Sequence, residues 1–117
     1  MARNSPFPLL SLRVVLRKGT AFGPGKADLL EHIQATGSIA AAGRRMKMSY
    51  TRAWGLVRDM NDDFASPLVR SAKGGSARGG AELTELGVGV LERYRHVQSA
   101  ARRAAASDLK ALIAKLR

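Results

Sequence analysis

The sequence predicts a mainly α-helical chain with a small β-hairpin, arranged as a winged helix-turn-helix with a long C-terminal dimerisation helix. Three observations lead there. Ser38 to Phe64 reads as helix, tight turn and helix. The glycine loop Lys73-Gly74-Gly75-Ser76-Ala77-Arg78-Gly79-Gly80 lies between two short apolar runs and reads as a hairpin tip. After Thr84, apolar residues step by three and four to the end of the chain, the pattern of one helical seam. The expected division is a flexible arm over 1–8, the winged helix-turn-helix over 9–84 and the dimerisation helix over 85–117.

Each element has a local cause. Leu10, Leu12, Val14 and Leu16 alternate with Ser11 and Arg13, so a strand is expected from Leu10. Gly19, Gly23, Pro24 and Gly25 then break the chain. Gly25-Lys26 ends like a phosphate-binding P-loop, but Thr20 and Ala27 stand where that loop needs glycine and Ser or Thr, so it reads as a turn. A first helix is expected over Ala27 to Thr36, burying Leu29, Leu30 and Ile33, with Asp28 in its first turn and Gly37 stopping it. Ser38 caps a second helix over Ile39 to Met46 that buries Ile39, Ala42 and Met46. The small residues Ala40 to Gly43 leave room for a close neighbour. Lys47-Met48 turns, and Ser49 caps a third helix from Tyr50 to about Phe64. A strand begins at Pro67, returns over Gly80 to Leu83, and Thr84 caps the last helix.

Composition narrows the function classes. The chain has 117 residues, enough for one core, with 45 % hydrophobic and 25 % charged residues. Twenty Lys and Arg face nine Asp and Glu, a net charge of +11, which argues for a polyanionic partner. There is no cysteine, so disulfides, thiolate catalysis and cysteine-ligated metals are excluded. No apolar run approaches the ~20 residues that span a bilayer, so no membrane partner is expected. Pro6 and Pro8 interrupt the only signal-like start, and a cytoplasmic location is expected.

The third helix carries the functional signal. At roughly 100° per residue, Ala53, Val57, Met60 and Phe64 fall on one side, with Tyr50, Trp54 and Asn61 at its edge. Thr51, Arg52, Gly55, Arg58, Asp59 and Asp62 fall on the other. Glycine inside a helix costs about 1 kcal/mol relative to alanine, and close approach to a base pair or sugar would justify it at Gly55. Arg52 is the expected base reader, because its fork can pair with guanine. Thr51 and Ser49 can bond phosphate or base. The Tyr50 phenol either binds phosphate or covers the core, and Trp54 is expected in the core. Arg44, Arg45 and Lys47 are expected phosphate clamps. Lys73 and Arg78 complete the set on the hairpin tip, with Arg78 the residue expected in a minor groove or on flanking phosphates.

The last helix would be about 45–50 Å long if continuous to Arg117, at 1.5 Å per residue. Leu91, Tyr94, Val97, Ala101, Leu109, Leu112 and Leu116 form its expected dimerisation seam, flanked by Arg93, Arg95, Arg102 and Arg103. Ser107-Asp108 offers an alternative, a new cap at which the helix bends back onto its own domain.

In order, Gly37-Ser38-Ile39, Ser49-Tyr50 with Ala53-Trp54, Met60-Asn61, and Gly74-Gly75 through Gly79-Gly80-Ala81 with Leu83-Thr84 resemble the N-terminal DNA-binding domain of the ModE family of molybdate-dependent transcriptional regulators. The resemblance covers about Leu10 to Ala101. It implies a winged helix-turn-helix that dimerises through long helices and binds palindromic operators. It also implies DNA contact by Ser49, Tyr50, Arg52 and the wing around Arg78. Full-length members carry molybdate- or tungstate-binding domains. This chain stops at Arg117 just after the helix, so those domains, and regulation by either oxyanion, are not expected in it.

Double-stranded DNA is therefore the expected partner, with a second copy of the chain. The leading expectation is a sequence-specific transcriptional regulator, and the alternative is a non-specific architectural DNA-binding protein. An enzyme is not expected, nor a cofactor or metal. His32 and His96 are far apart in the chain, and Asp62-Asp63 diverge around a helix rather than sharing a site.

Overall fold

The computed structural model describes residues 10–72 and 80–117. The expected arm over 1–8, together with Lys73 and Arg78 at the hairpin tip, lies outside those residues. The elements in order are β1 (Val14–Arg17), β2 (Thr20–Phe22), α1 (Pro24–Thr36), α2 (Ile39–Arg45), α3 (Tyr50–Asp63), β3 (Val69–Ser71), β4 (Ala81–Leu83) and α4 (Glu85–Ile113). This is a winged helix with a long C-terminal helix.

The start of the chain differs from expectation. The predicted strand from Leu10 begins only at Val14, and it pairs antiparallel with β2, an element the glycine-rich stretch concealed. Gly19 makes the turn at φ 82°, a conformation that glycine adopts without strain. The register slips between Val15 and Arg17, and such a slip breaks the alternation. Leu16 is therefore 51 % exposed, although the pattern placed it on the buried face. Phe22 is the anchor of this hairpin. Its ring lies 5.2 Å from that of Tyr94 and 6.3 Å from that of Phe64, both edge-on.

Helix α1 starts one turn earlier than expected. Pro24 occupies the first turn, where its fixed φ suits a helix and its missing N–H costs nothing. Asp28 therefore lies beyond the first turn, and its carboxylate instead faces α4. Gly37 ends the helix in the left-handed conformation, at φ 73°, and donates its N–H to the Ile33 carbonyl at 2.8 Å. Ala27, Leu29, Leu30 and Ile33 are fully buried.

The helix-turn-helix follows the sequence closely. The Ser38 hydroxyl accepts from the Ala41 N–H at 3.0 Å, and the Ser49 hydroxyl accepts from the Arg52 N–H at 3.1 Å. Lys47 takes the left-handed conformation at φ 58° in the turn between α2 and α3. Within α2, Ala42 is fully buried, while Ile39 and Met46 are half-buried against the core. Ala53, Val57 and Met60 bury the inner face of α3 as expected.

The wing strands pair antiparallel, Val69 with Leu83, Arg70 with Glu82 and Ser71 with Ala81. A bridge between Ser38 and Gly80, and an Ala81 N–H bond to the Gly37 carbonyl at 2.9 Å, tie β4 to the α1–α2 junction. The wing base is thereby fixed relative to α3. Asn61 holds its other side. Its Oδ1 accepts from the Leu68 and Val69 N–H groups at 2.8 and 3.1 Å, and its Nδ2 donates to the Val69 carbonyl at 3.1 Å.

Helix α4 runs unbroken through Ser107, so the bend proposed there does not occur. The Thr84 hydroxyl caps it, accepting from the Gly87 N–H at 3.0 Å. Its first turns close the core of this same chain. Leu91 and Tyr94 are buried, and the Tyr94 hydroxyl donates to the Leu12 carbonyl at 2.6 Å. Burial raises the Tyr94 pKa above its ordinary value, partly offset by the positive charge of Arg95. These two residues therefore leave the expected dimer seam. Arg95 is also not a free charge. It donates to Asp28 at 2.9 Å and to Glu31 at 2.6 Å, pinning α4 to α1, and to Gln98 of its own helix at 3.0 Å. Burial works against its charge, but the two carboxylates outweigh it and raise the pKa. Beyond Gln98 no α4 residue is buried. No helix among the described residues is long and apolar enough to cross a membrane.

Candidate nucleic-acid interface

The outer face of α3 is built by its cap and its inner face together. Ser49 fixes where the helix begins, and the burial of Ala53, Val57 and Met60 fixes its rotation. Thr51, Arg52, Arg58, Asp59 and Asp62 are then exposed without further support. Gly55 lies at the centre of that face, and a Cβ there would meet no atom within 4 Å. Nothing among the described residues requires glycine at this position.

The approach of α2 to α3 is close. A Cβ on Gly43 would come within 3.1 Å of the Ala53 Cβ, so glycine at 43 sets how tightly the two helices pack. Arg44 and Arg45 lie at the C-terminal end of α2, where the dipole favours cations, and both are exposed, as is Lys47 in the turn. They form a basic shoulder beside the start of α3.

Two shallow clefts flank Gly55. One, of about 380 Å³, is lined by Tyr50, Thr51, Trp54 and Arg58. The other, also about 380 Å³, lies between Arg52, Arg13 and the start of α1 at Gly23, Pro24 and Gly25. Arg52 and Arg58 thus serve opposite edges of one face. Trp54 corrects the sequence reading. It is 40 % exposed rather than buried, and the Arg58 guanidinium stands 5.9 Å from its ring centroid. Tyr50 likewise faces outward.

The cations of this face carry no counterion among the described residues, a state they share with Arg93, Arg102 and Arg103 of α4. Among the described residues the ion pairs are Lys26–Asp63, Arg70–Glu82 and Arg95 with Asp28 and Glu31. Arg44, Arg45, Lys47, Arg52 and Arg58 take part in none of them. The structure therefore brings together Arg44, Arg45, Lys47, Ser49, Tyr50, Thr51, Arg52, Gly55 and Arg58, and adds Trp54. Lys73 and Arg78 fall outside the described residues. Asn61 and Arg95 went unread as structural pins, because nothing in a local sequence window marks a side chain that bonds a distant backbone or helix. Among the described residues no group of three or more His, Cys, Asp or Glu is placed to hold a metal.

No family model matches the chain. The molybdenum-pterin-binding protein MopB of Rhodobacter capsulatus is 38 % identical over 99 residues, covering 85 % of this chain and 37 % of MopB. The DNA-binding transcriptional dual regulator ModE of Escherichia coli is 37 % identical over 71 residues, covering 61 % of this chain and 27 % of that protein. The chain spans about a third of the length of the curated relatives it matches. In three dimensions it resembles the CbnR DBD solved in complex with DNA, with a TM-score of 0.60 at 22 % identity, covering 75 % of this chain and 95 % of that one. The ModE resemblance read from the motifs therefore holds: over this one domain the chain is a relative of the ModE and Mop proteins, and its fold is that of a winged helix.

Proposed function

We propose that the chain is the DNA-reading part of a sequence-specific transcriptional regulator of the ModE type, acting as a homodimer. One observation carries the reading: an exposed α3 face with an unobstructed Gly55 at its centre and, at its edges, Arg52 and Arg58, which make no ion pair among the described residues. An unneeded mid-helix glycine fits a helix that approaches a duplex groove closely, with Arg52 pairing guanine in the major groove. Ser49, Tyr50 and Thr51 lie at the helix start, where base edges and phosphates are met, and Arg44, Arg45 and Lys47 hold the flanking phosphates. Lys73 and Arg78 serve the wing. The relatives named as DNA-binding regulators support the same assignment.

The homodimer rests on the outer stripe of α4 and the residues that follow it. Of the expected seam, Val97, Ala101, Leu109, Leu112 and Leu116 remain outside the core of this chain, with Leu112 63 % and Leu116 72 % exposed. Val97 also lines an apolar groove of about 400 Å³ with Leu16, Leu86 and Val90. A second copy covers such a stripe symmetrically, and a two-fold dimer reads a palindrome. Sedimentation of wild type against the Leu112→Glu, Leu116→Glu double variant tests it, and a monomeric wild type at micromolar concentration removes it.

Selection from a pool of random duplexes tests the DNA reading. Wild type should enrich a common sequence. Arg52→Ala should relax preference at one position, while Lys47→Ala should weaken all sequences alike and reduce the salt slope by about one. Equal loss on every sequence from both substitutions would instead assign the chain to non-specific architectural binding, for which the exposed Arg93, Arg102 and Arg103 of α4 supply charge remote from α3.

A further inference from the structure

Tyr50, Trp54 and Arg58 stand four residues apart, one above the other on a single edge of α3. This file is distinct from the Arg52 edge, which faces the start of α1. Its middle member is the feature without a structural explanation. A tryptophan 40 % exposed on a helix surface forfeits much of the apolar burial it could provide, and its indole walls an open cleft instead of the core. The Arg58 guanidinium stands over the face of that indole at 5.9 Å. That is the outer part of the cation–π range, an attraction that holds the guanidinium beside the indole, and its N–H fork makes no ion pair among the described residues.

We infer that Trp54 and Arg58 act as one reading unit for a thymine followed closely by a guanine in the major groove: the indole edge contacts the thymine 5-methyl group, and the Arg58 fork held beside it pairs the guanine O6 and N7. The inference rests on the DNA reading proposed above and names the bases that reading would meet on this edge. Residues four apart on a helix are about 6 Å apart along its axis, which spans one to two base steps at about 3.4 Å each. The thymine methyl is the one apolar group that the major groove displays, and an apolar side chain is its natural partner. Guanine offers two acceptors side by side, the pattern a planar fork matches. Trp54 thus contacts one base and positions the residue that reads the other. Asp59 and Asp62 lie further along the exposed helix and leave the Arg58 fork without an ion pair among the described residues.

The experiment begins with the sequence that full-chain wild type enriches from a random duplex pool. Each thymine of that sequence is replaced in turn by uracil, which deletes the methyl and nothing else, and affinity is measured for wild type and Trp54→Ala. At one thymine, uracil should weaken wild type about fourfold, the worth of one buried methyl, and should leave Trp54→Ala unchanged. Arg58→Ala should lose preference for a guanine one or two steps away. Circular dichroism of Trp54→Ala should match wild type, because the residue is not in the core. Uracil that is harmless at every thymine, or equally harmful to both proteins, overturns the inference while leaving the regulator reading intact. If no sequence is enriched at all, the regulator reading fails and this inference falls with it.

Discussion

Gly87, in the first turn of α4, lies directly against the backbone carbonyl of Leu68, the residue before β3. A Cβ at position 87 would overlap that carbonyl. The same carbonyl accepts the Thr84 N–H at 2.9 Å, and the Thr84 hydroxyl donates to the Pro67 carbonyl at 2.8 Å. The start of α4 and the start of the wing are therefore one fitted joint, and movement of either displaces the other.

Gly87→Ala should destabilise the fold. Helix propensity alone would favour alanine by about 1 kcal/mol. The obstructing atom is backbone held by hydrogen bonds, so overpacking of about 1–3 kcal/mol prevails. Gly89→Ala is the control, since a Cβ there meets nothing within 4 Å. Thermal melts should show Gly87→Ala below wild type and Gly89→Ala at or above it. Two variants that both melt above wild type would contradict the joint.

Asn61 should be nearly as sensitive, although it is only half-buried. Its amide completes three bonds to the backbone of Leu68 and Val69. Asn61→Ala leaves two N–H groups and a carbonyl without those partners, at about 1–3 kcal/mol per group that water cannot reach. The expected loss is about 2–4 kcal/mol, because the partial exposure lets water replace some bonds. Amide exchange should accelerate first at Leu68 and Val69, which distinguishes release of the wing from general loosening of the core.

Tyr94 ties stability to alkaline pH. Its pKa is raised in the fold above the ordinary 10.0, because burial favours the neutral phenol. The folded state then holds this proton more tightly than the unfolded state. The contribution is complete below pH 10.0 and is lost as pH rises through the higher folded value. Tyr94→Phe should cost about 1 kcal/mol at neutral pH, since the Leu12 carbonyl loses its donor. It should also flatten the alkaline decline, so wild type and variant converge in denaturation midpoint as pH rises above 10.0. Parallel curves over that range would show that the phenol does not titrate with unfolding.

The parts of this fold legible in the sequence are those decided within one helical turn. Ser38, Ser49 and Thr84 cap helices because a hydroxyl at the N-cap reaches an N–H three residues on, and all three do so. Gly37 stops α1 for an equally local reason. The β1–β2 hairpin was hidden because β2 is only three residues long, and because the register slip exposes Leu16 where alternation would bury it. At the candidate interface, the helical wheel placed Thr51, Arg52, Gly55 and Arg58 outward, but it left Trp54 on the boundary. Which side of a boundary residue is covered depends on what packs beside it, and α2 and the wing base leave the Trp54 edge open. The seam of α4 shows the same limit. Its three–four spacing is continuous from Leu91 to Leu116, yet the domain covers the stripe only as far as Gln98.

Gly55 supplies the sharpest separation of folding from function. It lies mid-helix, and no atom within 4 Å would meet an added methyl. Gly55→Ala should therefore stabilise the free protein by about 0.5–1 kcal/mol, through helix propensity and a less flexible unfolded chain. If α3 enters a groove with this position innermost, the same methyl stands between helix and duplex, and affinity for DNA should fall about tenfold or more, equivalent to roughly 1.4 kcal/mol. A higher melting temperature with weaker binding is an outcome that damage to the fold cannot imitate. A variant that is more stable and binds as tightly as wild type would show that the centre of this face does not meet the duplex, and would shift the contact toward the Arg52 or Trp54 edge.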